Sequence, residues 1–376
     1  MKKYKKVKWR GKAEVLSLFL GFLLLWEANS WAQSDLKLTW GGFLDTNYAF
    51  DLNFPSELDR AFTTQPARSN EFNLNLGYVD VKMESSKVRG RFAIQMGTSA
   101  FSNYAAEPRK GLISGPELSR HVQEATAGYA VGEKTWIDAG IFFSHVGAES
   151  WISRDNLNLT RSLVADYAPY YLSGVKFSHV ASDRLAMQLL ITNGWQNVSE
   201  NNGGKNLGTS LEYSWDHLVL AYNTMLGMEV SGDLRGVARA EAFRHFHDLV
   251  LKSRDWKSWE WIAQFDVGFQ AQPQNQGQSV WWGSSLMARI AMSESQKISL
   301  RLEHFQDPDQ IILVTGRPAA FNGSGGSLGF DQQLEHGLLC RTELRYLVAT
   351  ENLFPKGRDQ WAQQNLTLTT SLALSF

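Results

Sequence analysis

Cysteine is nearly absent: the 376-residue chain has one, Cys340. That excludes a disulfide framework, and any cysteine-rich zinc or iron–sulfur site, within one chain. Proline is scarce at nine residues, and the 31 glycines follow no collagen-like period, so neither a triple helix nor a Pro-rich disordered chain fits. Beyond the first 30 residues no apolar run is long enough for a membrane helix, and the average hydropathy is slightly polar. The chain also lacks H-E-x-x-H and a Gly-rich phosphate loop followed by Lys-Ser/Thr. What it has in quantity is aromatic residues: 14 Trp, 21 Phe and 11 Tyr.

The first 32 residues read as a secretory signal peptide. Lys2, Lys3, Lys5, Lys6, Lys8, Arg10 and Lys12 form a basic stretch, and Val15–Trp26 is an apolar run of 12 residues. Ser30-Trp31-Ala32 then places small residues at −3 and −1 before Gln33. Twelve residues are short of the roughly 20 that span a bilayer, which weighs against an uncleaved anchor. Cleavage would leave 30 basic and 36 acidic residues, a net charge of −6. A nucleic-acid binder is expected to be basic, so that class is disfavoured.

From there on the sequence has a period of two, the signature of strands. Val88, Gly90, Phe92, Ile94 and Met96 alternate with Arg89, Arg91, Ala93 and Gln95. Ile298, Leu300 and Leu302 alternate with Ser299, Arg301 and Glu303, and similar patterns run through 207–215, 259–269 and 366–376. The stretches are joined alternately by seven short polar turns and eight long segments, near 52–69, 101–120, 145–170, 193–206, 228–237, 272–278, 306–322 and 348–363. Fifteen connections make sixteen strands. All nine prolines fall in the long segments, as expected of residues that cannot donate to a ladder. Short turns at one rim and long loops at the other predict an all-β, transmembrane antiparallel β-barrel, a single domain over 33–376. The weakest strand is 322–332, where Asn322-Gly323-Ser324-Gly325-Gly326 carries little pattern and parity alone requires a strand. Counts of 14 and 18 stay open.

In such a barrel the apolar alternate residues face lipid and the polar ones face an interior. The inward set predicted to line a pore is Arg89, Arg91, Glu212, Glu260, Asp266, Arg289, Arg301, Glu303, Arg341, Glu343 and Arg345. The arginines near the chain ends, Arg89, Arg91, Arg301, Arg341 and Arg345, would form a basic-leaning wall, with Glu212, Glu260 and Asp266 elsewhere on the circumference. The alternative is that these charges pair in a plugged interior. The third long segment mixes charges (Glu149, Arg154, Asp155, Arg161, Asp166) with apolar anchors (Ile152, Leu157, Leu163, Val164). It is therefore a candidate constriction loop, the alternative being an ordered surface loop. His245 and His247 share a face but have no third metal ligand nearby, so they read as a wall pair. Cys340 falls in the apolar phase and reads as a small lipid-facing residue.

Several segments are also familiar. Asn70–Leu76, Asn103–Pro108, Asp138–Gly147, Leu159–Leu163, Ala168–Tyr171, Asn193–Gln196 and Ser371–Phe376 together resemble the OmpL-like β-barrel porins of Gram-negative outer membranes. Phe143 stands where that resemblance leads one to expect proline. The resemblance implies an outer-membrane location among lipid and lipopolysaccharide, and recognition of C-terminal Phe376 by the barrel-assembly machinery. It supplies no catalytic residue and no cofactor. The function expected is passive diffusion of small hydrophilic solutes, by a monomer or a homo-oligomer. The alternatives are a structural or adhesive barrel that binds a partner through its long loops, and an outer-membrane hydrolase.

Overall fold

The computed structural model describes residues 35–230, 241–254, 258–272 and 277–376. The predicted signal peptide, most of the 228–237 loop and Pro273 lie outside the described residues. The strands are β1 (Lys37–Asp51), β2 (Phe72–Glu84), β3 (Val88–Met96), β4 (Val122–Gly132), β5 (Thr135–Phe143), β6 (Tyr171–Ser182), β7 (Leu185–Thr192), β8 (Asn206–Ser214) and β9 (Leu218–Val230). They continue with β10 (Glu241–Ser253), β11 (Trp259–Ala271), β12 (Gln278–Ala291), β13 (Gln296–Asp307), β14 (Phe321–Gln333) and β15 (Leu338–Ala349). The small ribbon β16 (Phe354–Lys356) and β17 (Gln360–Ala362) decorates the last long loop, and β18 (Gln364–Ser375) closes onto β1.

Sixteen antiparallel strands thus form one closed ring, each paired with its chain neighbour, with β18 joining β15 to β1. Closure removes the unpaired edge, because an unsatisfied backbone group in hydrocarbon costs several kcal/mol. The two-residue period puts opposite solvents on opposite faces. Along β13, Leu300 and Leu302 are 52% and 66% exposed, whereas Arg301 and Glu303 are 1% and 5% exposed.

Turn chemistry fixes where the strands reverse. The Ser85 hydroxyl accepts from the amides of Lys87 and Val88, Ser182 from those of Arg184 and Leu185, and Ser293 from those of Ser295 and Gln296. Each is a serine side chain mimicking a backbone turn. The described prolines all lie outside the barrel strands, Pro355 in the small ribbon.

The weakly patterned segment is a strand: β14 pairs with β13 along Asn322–Gln332 and with β15 along Gly323–Gln333. Register shifts at Asp45/Thr46, Ala93/Ile94, Ala130/Gly132 and Val180/Ser182 mark bulges that the alternation did not announce.

Candidate functional site in the barrel interior

The third long loop, 144–170, lies inside the ring. At its start the amides of Gly147 and Ala148 donate to Asp248 Oδ2 on β10 (2.9 Å) and Gln264 Oε1 on β11 (3.2 Å). The chain then crosses the lumen. Trp151 donates through Nε1 to Ser99 Oγ (2.7 Å) and packs beside Tyr104 and Tyr171, whose rings stack at 4.1 Å, while Ser153 donates to Asp45 Oδ2 on β1 (2.7 Å). It next runs along the β13–β15 wall. Thr160 donates through its amide and hydroxyl to Glu343 (2.8 and 2.6 Å), and the Leu163 amide donates to Glu303 Oε2 (2.7 Å).

Local sequence holds this path. Ser162 caps the one-turn helix Leu163–Asp166 by accepting from the Ala165 amide, and donates its own amide and hydroxyl to Glu149. The first long loop adds a second layer. The Thr64 hydroxyl donates to Asp166 Oδ1 (2.6 Å) and also bonds the Tyr170 hydroxyl, and Thr63 Oγ1 accepts from Arg345 (3.3 Å).

The inward residues predicted to line a pore do face inward, but on the β13–β15 wall the loops cover them. Arg301 pairs with Glu303 (3.3 Å) and Glu343 (3.0 Å), Arg345 with Glu303 (2.9 Å), and Arg341 with Asp331 (2.8 Å). Arg341 and Arg301 also donate to loop carbonyls, Arg341 to Ser153 O and Arg301 to Thr160 O, both at 2.5 Å. None of these six residues is more than 5% exposed.

The charges do not segregate into a basic arc and an acidic one. Arg289 pairs with Glu260 (2.8 Å), and Glu212 with Lys252 (3.6 Å). Arg89 pairs with Asp138, and Arg91 with both Asp80 (2.9 Å) and Glu124. Asp266 stands directly opposite Asp248 and accepts from Gln264 (3.0 Å). On the buried β13–β15 wall the reason is physical: a charge taken out of water needs a partner of opposite sign.

Within the loop, Glu149, Arg161 and Asp166 are buried, Arg154 is half-buried and Asp155 is exposed. Burial raises the Glu149 carboxyl above its usual range despite the Ser162 donors, and pushes the His145 imidazole down to about 4. His145 bonds the Thr224 carbonyl through Nε2 (2.9 Å), while its buried Nδ1 has no partner among the described residues.

What the loops leave open lies on the other side of the ring. A cavity of about 510 Å³ near the short-turn rim is lined by Lys82, Arg89, Arg91, Glu124, Asp138 and Lys176. A smaller one of about 240 Å³ sits inside the third loop beside Glu149, Trp151, Arg161 and Tyr170. Two more, of about 490 and 220 Å³, open among the long loops beside Arg60 and Arg244 respectively. Lys176, Arg60 and Arg244 were not among the predicted site residues. Lys176 and Arg244 follow the inward phase of their strands, which is the signal that could have found them.

Two sequence patterns are placed as well. Gly325-Gly326-Ser327-Leu328-Gly329 has G-x-S-x-G spacing, but it lies in mid-strand, not at a strand-to-helix turn, and Ser327 accepts from Arg301 (2.8 Å). His245 and His247 sit half-buried on the outer face, 3.3 Å apart (Nδ1 to Nε2), with His247 bonded to the Tyr222 hydroxyl (2.7 Å).

Solved structures share this architecture. The anion-selective porin from Comamonas acidovorans is 10% identical with a TM-score of 0.60, over 91% of this chain and all of that one. The trimer form of OmpT from Vibrio cholerae is 7% identical with a TM-score of 0.61, again over 91% of this chain and all of its own. OprB of Pseudomonas putida is 11% identical with a TM-score of 0.59, over 91% of this chain and 94% of that one. At these identities the likeness is one of fold. No curated protein sequence matches. The family described as "Putative beta-barrel porin-2, OmpL-like" matches residues 37–376, the whole barrel, and the chain therefore belongs to that family.

Proposed function

We propose that the protein is a channel of the outer membrane, not an enzyme, and that small hydrophilic solutes diffuse passively through the part of the lumen the loops leave open. The observation that carries this reading is the polar cavity of about 510 Å³ on the β2–β7 side, while the third loop packs against β10–β15. A charged, wet lumen wall is the usual device for admitting polar solutes and sorting them. On this reading Arg89 and Arg91 border the path. The paired residues Arg301, Glu303, Arg341, Glu343 and Arg345 hold the loop that narrows it. No cofactor or energy source enters.

The proposal extends to a mature chain exported after residue 32 as one domain, surrounded by lipid and lipopolysaccharide, assembled with the help of Phe376 and able to form homo-oligomers. Purified, folded protein in planar bilayers should give discrete conductance steps in KCl, and liposomes carrying it should swell in small sugars. Silent bilayers and unswollen liposomes would overturn it. They would favour the second reading, a structural barrel whose loops bind a partner, to which the loop-filled β10–β15 half of the lumen lends support.

A further inference from the structure

We propose that the outer cavity of about 220 Å³ beside Arg244 is a recognition subsite for small organic monocarboxylates with an aromatic or compact apolar body. The proposal rests on the channel reading for its purpose, but not for its test.

Arg244 lies on β10, points inward and is 6% exposed. A guanidinium this buried normally has a carboxylate against it, as Arg301, Arg341 and Arg345 do. Arg244 has none in ion-pair contact among the described residues. Its Nε and Nη2 both donate to a single neutral acceptor, Gln270 Oε1 (2.8 and 2.6 Å). The remaining donors of the fork have no described partner.

The carboxylates nearby, Glu229 foremost and then Asp307, act on Arg244 only through space, and their described hydrogen bonds go to other groups. Glu229 accepts from the Trp195 amide (2.7 Å) and Asn206 (2.6 Å), and Asp307 accepts from the amides of Ile311, Ile312 and Leu313. Glu107 and Asp166, which border the cavity, accept from Ser199 and Tyr171 and from Thr64 and Tyr170 respectively. The unmet capacity at this site is therefore for an acceptor, and the strongest acceptor for a planar fork is a carboxylate.

Its surroundings set the rest of the ligand. Trp195 and Trp281 flank the guanidinium at 5.2 and 5.6 Å from ring centroid to Cζ, and Trp195, Ile311, Ile312 and Ala106 give the cavity apolar walls. The volume is below that of pockets for drug-sized ligands, so it suits one ring or a short branched chain. Glu107 and Asp166 also limit the charge, because a second negative charge on the ligand would face two fixed carboxylates across a small, poorly hydrated space.

The test uses the full folded chain in detergent and titration calorimetry with three probes: benzoate, its neutral isostere benzamide, and the dianion phthalate. Benzoate should bind at least about tenfold more tightly than either of the others, the factor a single hydrogen bond to a charged group supplies. In Arg244→Gln, shown to be folded by its heat-modifiable gel mobility, benzoate affinity should fall to that of benzamide, and Arg244→Lys should recover part of it. Equal affinity for benzoate and benzamide, or an unchanged Arg244→Gln, would overturn the subsite, and tight phthalate binding would overturn the single-charge assignment. If the variants do not fold, the comparison of the three probes on the unaltered chain still decides. KCl conductance of the unaltered chain tests the channel reading separately, so the failure of one is distinguishable from the failure of the other.

Discussion

Arg345 on β15 reaches Glu303 on β13 across an intervening strand, and it does so because β14 puts Gly325 opposite Glu303. A Cβ at Gly325 would lie 2.4 Å from Leu347 Cδ2, 2.8 Å from the Tyr346 carbonyl and 3.2 Å from Glu303 Oε1. Gly325→Ala should therefore destabilise the barrel. An overpacking cost of about 1–3 kcal/mol exceeds the gain of about 0.4–1 kcal/mol from a stiffer unfolded chain. The urea midpoint in lipid vesicles reads the difference. Arg301 is a second residue with a definite expectation. Arg301→Met leaves Glu343 and Glu303 buried with one cation fewer and should cost about 3–5 kcal/mol, whereas Arg301→Met with Glu343→Leu should recover part of it. A single variant as stable as the unaltered chain would show that water reaches this wall. These residues also explain what could be read from sequence. The parity of Arg301, Glu303, Arg341 and Glu343 along their strands gave the face correctly. Their mutual pairing depends on contacts between strands, across glycines that carry no pattern of their own.

At the scale of elements, strands and connections were legible because alternation and turn serines are local. The course of the third loop was legible only as a composition, charges interleaved with Ile152, Leu157, Leu163 and Val164, all now buried. The anchors named above lie 52 to 188 residues away in sequence, from Ser99 to Arg341, and no local rule encodes them. The loop has its own pH response. Neutral His145 donates through Nε2 to the Thr224 carbonyl. Protonating Nδ1 would add a buried N–H with no acceptor among the described residues. With a folded pKa of about 4 against an ordinary 6.5, the unfolded chain takes up the proton first. Stability from this group is thus complete above pH ~6.5 and is lost as the pH falls to ~4, by about 3 kcal/mol. Glu149 acts in the opposite sense: its raised carboxyl becomes neutral on acidification and relieves the burial of a charge. His145→Gln should therefore flatten or reverse the acid slope of the urea midpoint between pH 6.5 and 4. Parallel slopes in the two proteins would remove His145 from the account.

The whole molecule sets a ring wide enough for water against two loops that occupy it. A bare barrel of sixteen strands leaves an aqueous lumen, so on the proposed channel reading the passage is decided by how firmly the loops are held. The wall under the third loop is nearly neutral without it: Arg301, Arg341 and Arg345 face Glu303, Asp331 and Glu343, all from the strands themselves. Taking the loop away would leave a wall that hydrates in place, because none of these six charges depends on the loop for a counter-charge. The ring is closed by the pairing of β1 with β18, including the mutual backbone bonds of Gly42 and Phe376 (3.0 and 3.2 Å), which the loop does not touch. Replacing 150–164 by a short Gly-Ser linker should therefore leave a folded, heat-modifiable barrel whose KCl conductance rises severalfold. The same excision should make a cysteine at Ser327, in a Cys340→Ser background, accessible to a water-soluble thiol reagent, since Ser327 is 7% exposed while the loop is in place. Unchanged conductance together with an unreactive cysteine would mean that the 150–164 segment does not obstruct the path that ions take. The β2–β7 cavity would then have to carry the whole current with the loop as a fixed part of its wall.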